Sequence, residues 1–312
     1  MAQRPTSDTG ALRAARTWGE ALWRATALLR AAPDASSPEL DAELLLAHLM
    51  GVPRTSILAY PERALSPSQA RRYAALVQRR AQGEPIAYLT GHREFMGLDF
   101  KTDRRALIPR PETELLVEAA LADIRARLSQ APQVAPTVAD IGTGTGAIAI
   151  ALAAHEPRLP RVYAVDLAAE ALALATENAA RLRVSERVVL LRGDLLAALP
   201  EPCDVLVANL PYVAAEEAET LPRDVREYEP AQALFSAEEG LGHLRRFFAA
   251  APAHARPRAT ILAEFGAGQA AAVRALAASA FPESEITIGS DYAGWERYAT
   301  IRTSTPPSAP LR

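Results

Sequence analysis

From residue 138 onward, short apolar runs alternate with longer stretches whose apolar positions recur at the helical period. That alternation restricts the fold more than any other feature of the chain. Val138-Ala139-Asp140-Ile141, residues 161–166, Val188-Val189-Leu190-Leu191, residues 204–208 and Thr260-Ile261-Leu262-Ala263-Glu264 read as five strands. The spacing predicts helices over 147–154, 168–182 and 240–251. Parallel strands need a long crossover, which a helix supplies. Repeated strand–helix units therefore imply a doubly wound α/β sheet with helices on both faces. The last two runs, 285–288 and 298–301, are joined by a short polar link without room for a helix, so they are expected to form an antiparallel hairpin.

The chain ahead of this region reads differently. Residues 1–10 are polar and unpatterned, a loose tail, and 11–82 read as a small helical bundle. Leu12, Leu22, Thr26 and Leu29 begin one amphipathic pattern. Ser37-Pro38 offers an N-cap with proline at the first helical position. Leu40, Leu44, Ala47 and His48 then share one face of a helix ending near Gly51. Ser66-Pro67-Ser68-Gln69 has the form of a capping box. Over 83–108, the runs Pro85-Ile86-Ala87-Tyr88-Leu89, Arg93-Glu94-Phe95 and Leu98-Asp99-Phe100 suggest short strands or a β-hairpin linking two domains. Residues 109–303 are expected to carry the chemistry. Glu238-Glu239-Gly240 is expected to start a helix, and the proline-rich residues 304–312 to form a disordered tail.

Composition narrows the function classes. Of 312 residues, 49% are hydrophobic and 23% charged, ample for a core. No run approaches the ~20 apolar residues of a membrane-spanning helix, and MAQRPTSDTG lacks the apolar segment of a secretory signal. The single cysteine, Cys203, excludes an internal disulfide and a multi-cysteine zinc site, and fits a reducing, cytoplasmic setting. Lys+Arg minus Asp+Glu is 34 − 37 = −3, so no global basic field recruits nucleic acid. Lys101 is the only lysine, and pairs such as Arg71-Arg72, Arg79-Arg80 and Arg245-Arg246 read as solvated helix faces. His92, His155, His243 and His254 have no metal-ligand spacing, and no metal is expected.

Asp140-Ile141-Gly142-Thr143-Gly144-Thr145-Gly146 falls where the first strand turns into the first helix of the α/β region. Glycine suits such a turn because a ligand must approach the backbone with no Cβ in the way. Gly142-x-Gly144-x-x-Ala147 also satisfies the relaxed dinucleotide fingerprint, so the loop indicates a nucleoside-containing cofactor without saying which. Asp166 ends the second strand and can accept from both ribose hydroxyls. Asp140 would set a negative charge near a cationic ligand and repel a pyrophosphate. Asp194, after the third strand, could accept from an adenine amino group. Both carboxylates suit S-adenosyl-L-methionine, which carries a sulfonium and no phosphate.

Asn209-Leu210-Pro211-Tyr212 lies at the carboxyl end of the fourth strand, where open α/β sheets hold their ligands. The motif resembles the (Asn/Asp/Ser)-Pro-Pro-(Tyr/Phe) signature of methyltransferases acting on planar amino groups. An amide or exocyclic nitrogen is a poor nucleophile because its lone pair is delocalised. The Asn209 side-chain oxygen and the Leu210 carbonyl can each accept one of its N–H groups, orienting it and favouring the charge that develops on it. Pro211 stiffens the loop, and Tyr212 can pack against the planar group.

The resemblance extends to the PrmC/HemK family of release factor glutamine methyltransferases and covers roughly residues 11–303. It rests on Asp41-Ala42-Glu43-Leu44-Leu45-Leu46, Glu84-Pro85-Ile86-Ala87-Tyr88 and Gly97-Leu98-Asp99-Phe100. Further matches are Ile108-Pro109-Arg110-Pro111-Glu112-Thr113-Glu114, the Asp140 to Ala149 loop, Leu262-Ala263-Glu264-Phe265-Gly266 and Asp291-Tyr292-Ala293-Gly294. It implies a Rossmann-like class I methyltransferase domain preceded by a helical domain that docks the substrate. The implied reaction is N5-methylation of the glutamine in the Gly-Gly-Gln loop of class I peptide chain release factors, in the cytosol.

By that resemblance Gly142, Thr143, Gly144, Thr145, Gly146, Asp166, Asp194, Leu195 and Asn209 bind the cofactor. Asn209, Leu210, Pro211 and Tyr212 bind the substrate, with Asn209 and Tyr212 catalytic. Glu112 and Thr113 would line the cofactor pocket or simply open a helix. The family usually has proline where Leu210 stands, a change that leaves the backbone carbonyl in place. The same chemistry serves an adenine N6 or cytosine N4 methyltransferase, which the net charge and the lack of a target-recognition domain disfavour. A nucleoside-binding scaffold and a nicotinamide-dependent oxidoreductase would leave the Asn209 motif without a use.

Overall fold

The computed structural model describes residues 9–33 and 37–304, so the expected tails fall largely outside the described residues. The chain divides into two compact units: one up to Gly91 together with Thr220–Tyr228, the other from His92 to Glu219 and from Glu229 onward.

The first unit is helical. Its helices, numbered in chain order, are α1 (Gly10–Arg13), α2 (Trp18–Arg30), α3 (Pro38–Met50), α4 (Arg54–Ala59), α5 (Pro67–Ala81) and α6 (Ile86–Thr90), with α10 (Arg223–Tyr228) from the later segment. The capping box at Ser66 and Gln69 is formed, satisfying two otherwise orphaned N–H groups. Tyr73, wholly buried, donates to the Ala42 carbonyl at 2.8 Å, and Arg80 pairs with Asp41 at 2.7 Å, both largely buried. Asp224 lies 4.0 Å from Arg80, and the Tyr228 hydroxyl donates to the Gln82 carbonyl, which ties α10 into this unit.

The helical unit departs from the sequence pattern in three places. Ser37 makes no side-chain cap hydrogen bond. The buried stripe of α3 is Asp41, Ala42, Leu45, Leu46 and Ala47, leaving His48 exposed and Leu40 39% exposed. The stripe turns because Asp41 must face inward to meet Arg80. Residues 86–90 form a helical turn instead of a strand, with Thr90 Oγ1 donating back to the Ile86 carbonyl.

The second unit begins with the antiparallel pair β1 (His92–Phe95) and β2 (Leu98–Lys101), then α7 (Glu112–Gln130). Strand–helix alternation follows: β3 (Val138–Ile141), α8 (Ala147–His155), β4 (Val162–Asp166), α9 (Ala169–Arg181), β5 (Val188–Arg192) and β6 (Cys203–Ala208). After the segment of the helical unit come α11 (Gly242–His254), β7 (Ala255–Glu264), α12 (Ala270–Ala280), β8 (Glu285–Ser290) and β9 (Glu296–Arg302). The seven strands order as β5-β4-β3-β6-β7-β9-β8. The first five are parallel; β9 runs antiparallel to both β7 and β8, which gives the terminal hairpin. The order reverses between β3 and β6, the switch point where such sheets hold ligands beyond their carboxyl ends. Residues 238–240 do not start a helix. Glu238, Glu239 and Gly240 all have positive φ, and α11 begins two residues later.

Strand periodicity places the site residues. Val138, Val162, Val205, Val207 and Leu262 pack under α7 and α8, whereas Ala139, Ile141, Leu206, Ala208 and Ala263 pack under α11 and α12. Asp140, Asn209 and Glu264 share the parity of the first set, so all three belong to the α7/α8 face. Cys203 is buried in the other layer, where burial pushes its thiol up to about 12. Among the described residues no helix is long and apolar enough to cross a membrane.

Candidate active site

The loop between β3 and α8 wraps one wall of a pocket at the switch point. Gly142, Gly144 and Gly146 all have positive φ, and a Cβ on Gly142 would come within 3.0 Å of the Leu210 side chain. Gly146, expected to bind the cofactor, is not in the pocket lining: a Cβ there would meet Ile150 at 2.7 Å, so that glycine serves the packing of α8 on α9. The Gly144 N–H donates to Asp166 Oδ2 at 2.8 Å, and the Ala168 N–H to Oδ1 at 2.9 Å. Each carboxylate oxygen retains a further lone pair, so Asp166 can still accept from a diol in the pocket it lines.

Asp140 sits elsewhere than the charge argument implied. It is wholly buried, away from the pocket lining, and braces the loop by accepting from Thr143 Oγ1 at 2.6 Å and the Ala149 N–H at 3.1 Å. Burial pushes its carboxyl up to about 7 against the pull of those bonds. Its second oxygen has no partner among the described residues. Asp194 does line the pocket but is ion-paired to Arg246, and Leu195 beside it adopts a left-handed φ of 50°.

The charges of the lining discriminate between ligands. Arg105 and Arg110 both reach the pocket, yet Arg105 is held by Asp103 and Glu177, and Arg110 by Glu229. The pocket offers carboxylates, apolar surface and a Cβ-free cradle, while its guanidiniums are committed to carboxylates. That donor set fits S-adenosyl-L-methionine, a cationic nucleoside without phosphate, better than a dinucleotide.

Asn209, Leu210 and Pro211 also line the pocket, with Leu210 against the Gly142 turn. Asn209 Nδ2 donates to Thr113 Oγ1 at 2.9 Å, and Thr113 Oγ1 donates to Glu264 Oε2 at 2.7 Å. Thr113 and Glu264 are 4% and 3% exposed. Burial pushes the Glu264 carboxyl up to about 7, with Thr113 drawing it down and Glu112 adding like charge. Tyr212 is turned from the pocket wall toward Glu264 Oε1, 3.4 Å away, and burial raises its phenol above the usual range.

The loop that carries these groups is pinned on both sides. Leu210 is 3% exposed and packs on Gly142, so the residue that replaces the family's proline is held by burial instead of by a ring. Gln269 Nε2 donates to the Tyr212 carbonyl at 3.0 Å, and Val213 exchanges backbone hydrogen bonds with Leu234 and Ser236. Glu229 and Gln269 were not singled out in the sequence. Glu264 was placed at the end of the fifth strand and in a matching block but given no role, although a carboxylate closing the apolar run Ile261-Leu262-Ala263 is an oddity that could have flagged it.

Comparison with known proteins agrees with this geometry. Residues 20–91 match the family model described as PrmC N-terminal domain, and residues 120–225 match Methyltransferase small domain. A release factor glutamine methyltransferase of Moorella thermoacetica is 43% identical over 268 residues, spanning 86% of this chain and 92% of that protein. Proteins of the same name from Rhodopirellula baltica and Salmonella typhimurium are 38% and 41% identical, over 85% of this chain and 90% and 92% of theirs. Among solved structures, the hMettl16 catalytic domain in complex with a MAT2A 3'UTR hairpin shares the fold, with a TM-score of 0.52 at 16% identity over 76% of this chain and 84% of that one. With identities near 40% across nearly their whole length, the chain belongs to the release factor glutamine methyltransferase family.

Proposed function

We propose that the protein methylates the side-chain amide nitrogen of the glutamine in the Gly-Gly-Gln loop of class I release factors, in the cytoplasm. The observation that carries this reading is the committed amide of Asn209. Its Nδ2 is used by Thr113, so Oδ1 is the end left to accept an N–H of a planar amide. The Leu210 carbonyl, which accepts no hydrogen bond from another described residue, takes the second N–H. Two acceptors fix the nitrogen's approach and favour the positive charge that grows on it, so no strong base is needed.

S-adenosyl-L-methionine, when bound, supplies an electrophilic methyl group. Gly142 to Thr145, Asp166, Asp194 and Leu195 would hold it: the glycine backbone by close approach, Asp166 through the ribose diol, Leu195 by apolar contact with the base. Leu210 and Pro211 keep water from the reacting nitrogen. We assign release factor docking to the helical unit, whose match to the PrmC N-terminal domain supports that role.

The test is methyl transfer from labelled S-adenosyl-L-methionine, with a class I release factor and duplex DNA offered separately. Label on the release factor alone is expected. Label on DNA alone would move the substrate to a nucleic-acid base and refute the protein assignment.

A further inference from the structure

Glu264 is a buried carboxylate with no ion-pair partner among the described residues. The guanidinium nearest in charge terms, Arg297, is paired through Nε to Asp291. Burying an unpaired carboxylate is costly, and its contacts are the Thr113 hydroxyl and, more distantly, the Tyr212 hydroxyl. Strand parity brings it there: Glu264 ends β7 on the face that meets the first turn of α7, the face to which Asn209 also points from the end of β6.

The direction of the two short bonds follows from what each group can do. Above its raised pKa of about 7 the carboxylate only accepts, so there Thr113 must spend its single hydroxyl proton on Glu264. Its oxygen then offers only lone pairs to Asn209, which must answer with Nδ2. We infer that Glu264 and Thr113 are a positioning pair that fixes which end of the Asn209 amide faces the pocket. The inference rests on the reading of Asn209 given above as the acceptor for the substrate amide. Without the pair the two amide orientations become nearly equivalent, and the flipped one sets an NH2 group against the N–H it should accept. Tyr212 reinforces the arrangement by donating to the other carboxylate oxygen.

Three variants test this. Thr113→Val removes the hydroxyl at nearly constant volume. Thr113→Ser restores it. Glu264→Gln keeps the shape but lets an NH2 group face Thr113 once Tyr212 has taken the oxygen. With release factor as substrate, Thr113→Val and Glu264→Gln are expected to lower kcat by ~10-fold or more, as for loss of an oriented polar group at a reacting centre. Affinity for S-adenosyl-L-methionine and KM for the release factor should change little, which also shows that the variants are folded. Thr113→Ser should recover most of the lost turnover. Wild-type kcat in both Thr113→Val and Glu264→Gln would overturn the inference, as would a Thr113→Ser variant no better than Thr113→Val. A wild-type protein that leaves the release factor unlabelled would instead refute the substrate reading.

Discussion

Gly240→Ala strains the active-site loop from a position that touches neither ligand. The residue has φ +84°, and a Cβ there would lie 2.1 Å from the Tyr212 carbonyl oxygen and 2.6 Å from Gln269 Nε2. The first contact falls more than ~1 Å short of van der Waals separation, so backbone must move. The carbonyl cannot simply rotate away, because Gln269 holds it at 3.0 Å and Val213 is fixed to the 234–236 segment. A left-handed alanine costs ~1 kcal/mol and loss of the Gln269 bond another ~1 kcal/mol, a combined ~2–3 kcal/mol once the clash is relieved. In a unit of this size that lowers Tm by roughly 5–10 °C. A shift of ~1 Å transmitted to Leu210 and Asn209 reduces kcat about 100-fold. The assay pairs release factor methylation with calorimetric binding of S-adenosyl-L-methionine and a thermal melt. Cofactor affinity should stay within a few-fold of wild type, since the atoms a Cβ would strike belong to Tyr212 and Gln269, neither of which lines the pocket. A variant with wild-type kcat and Tm would show that Gly240 does not hold the loop.

Other expectations follow from the same network. Asn209→Ala should lower kcat by ~100–1000-fold with cofactor binding retained, read by single-turnover methylation; near-normal turnover would remove its role as amide acceptor. Asp166→Ala should weaken S-adenosyl-L-methionine binding by ~10–100-fold, from lost diol contacts and a loosened Gly144 amide; an unchanged Kd by titration calorimetry would remove the ribose assignment. Glu264 has a folded-state pKa raised from 4.5 to about 7, so the folded protein binds the extra proton across that window. Its contribution to stability is full below pH 4.5 and is lost as pH rises through about 7. Glu264→Gln should therefore gain in Tm relative to wild type on going from pH 4.5 to pH 7, and a pH-independent difference would contradict the raised pKa.

The second unit was legible because its parallel strands are buried on both faces and its helices repeat between them. Strand limits moved little, except that β7 starts at Ala255, five residues before the apolar run that revealed it. The helical unit was harder. Residues 38–50 contain leucine or alanine on every side of the helix, so periodicity could not choose the inner face. The choice was made by an ion pair with Arg80, 39 residues later. The site divides in the same way. Gly142, Asp166 and Asn209 carry local signals, a glycine turn or a polar residue closing an apolar strand. Thr113 meets Asn209 from 96 residues away and Glu264 from 151. Such contacts are set by strand order and parity, which become visible only once the sheet is assembled.

The central claim is that the chain methylates one amide nitrogen of one glutamine. Tandem mass spectrometry of a release factor incubated with the protein and S-adenosyl-L-methionine tests it directly, with a Gln→Ala loop variant of the factor alongside. The account predicts a single added methyl group on the side chain of the Gly-Gly-Gln glutamine and none on the variant. A methyl group on any other residue, or an unmodified loop after full incubation, would contradict it.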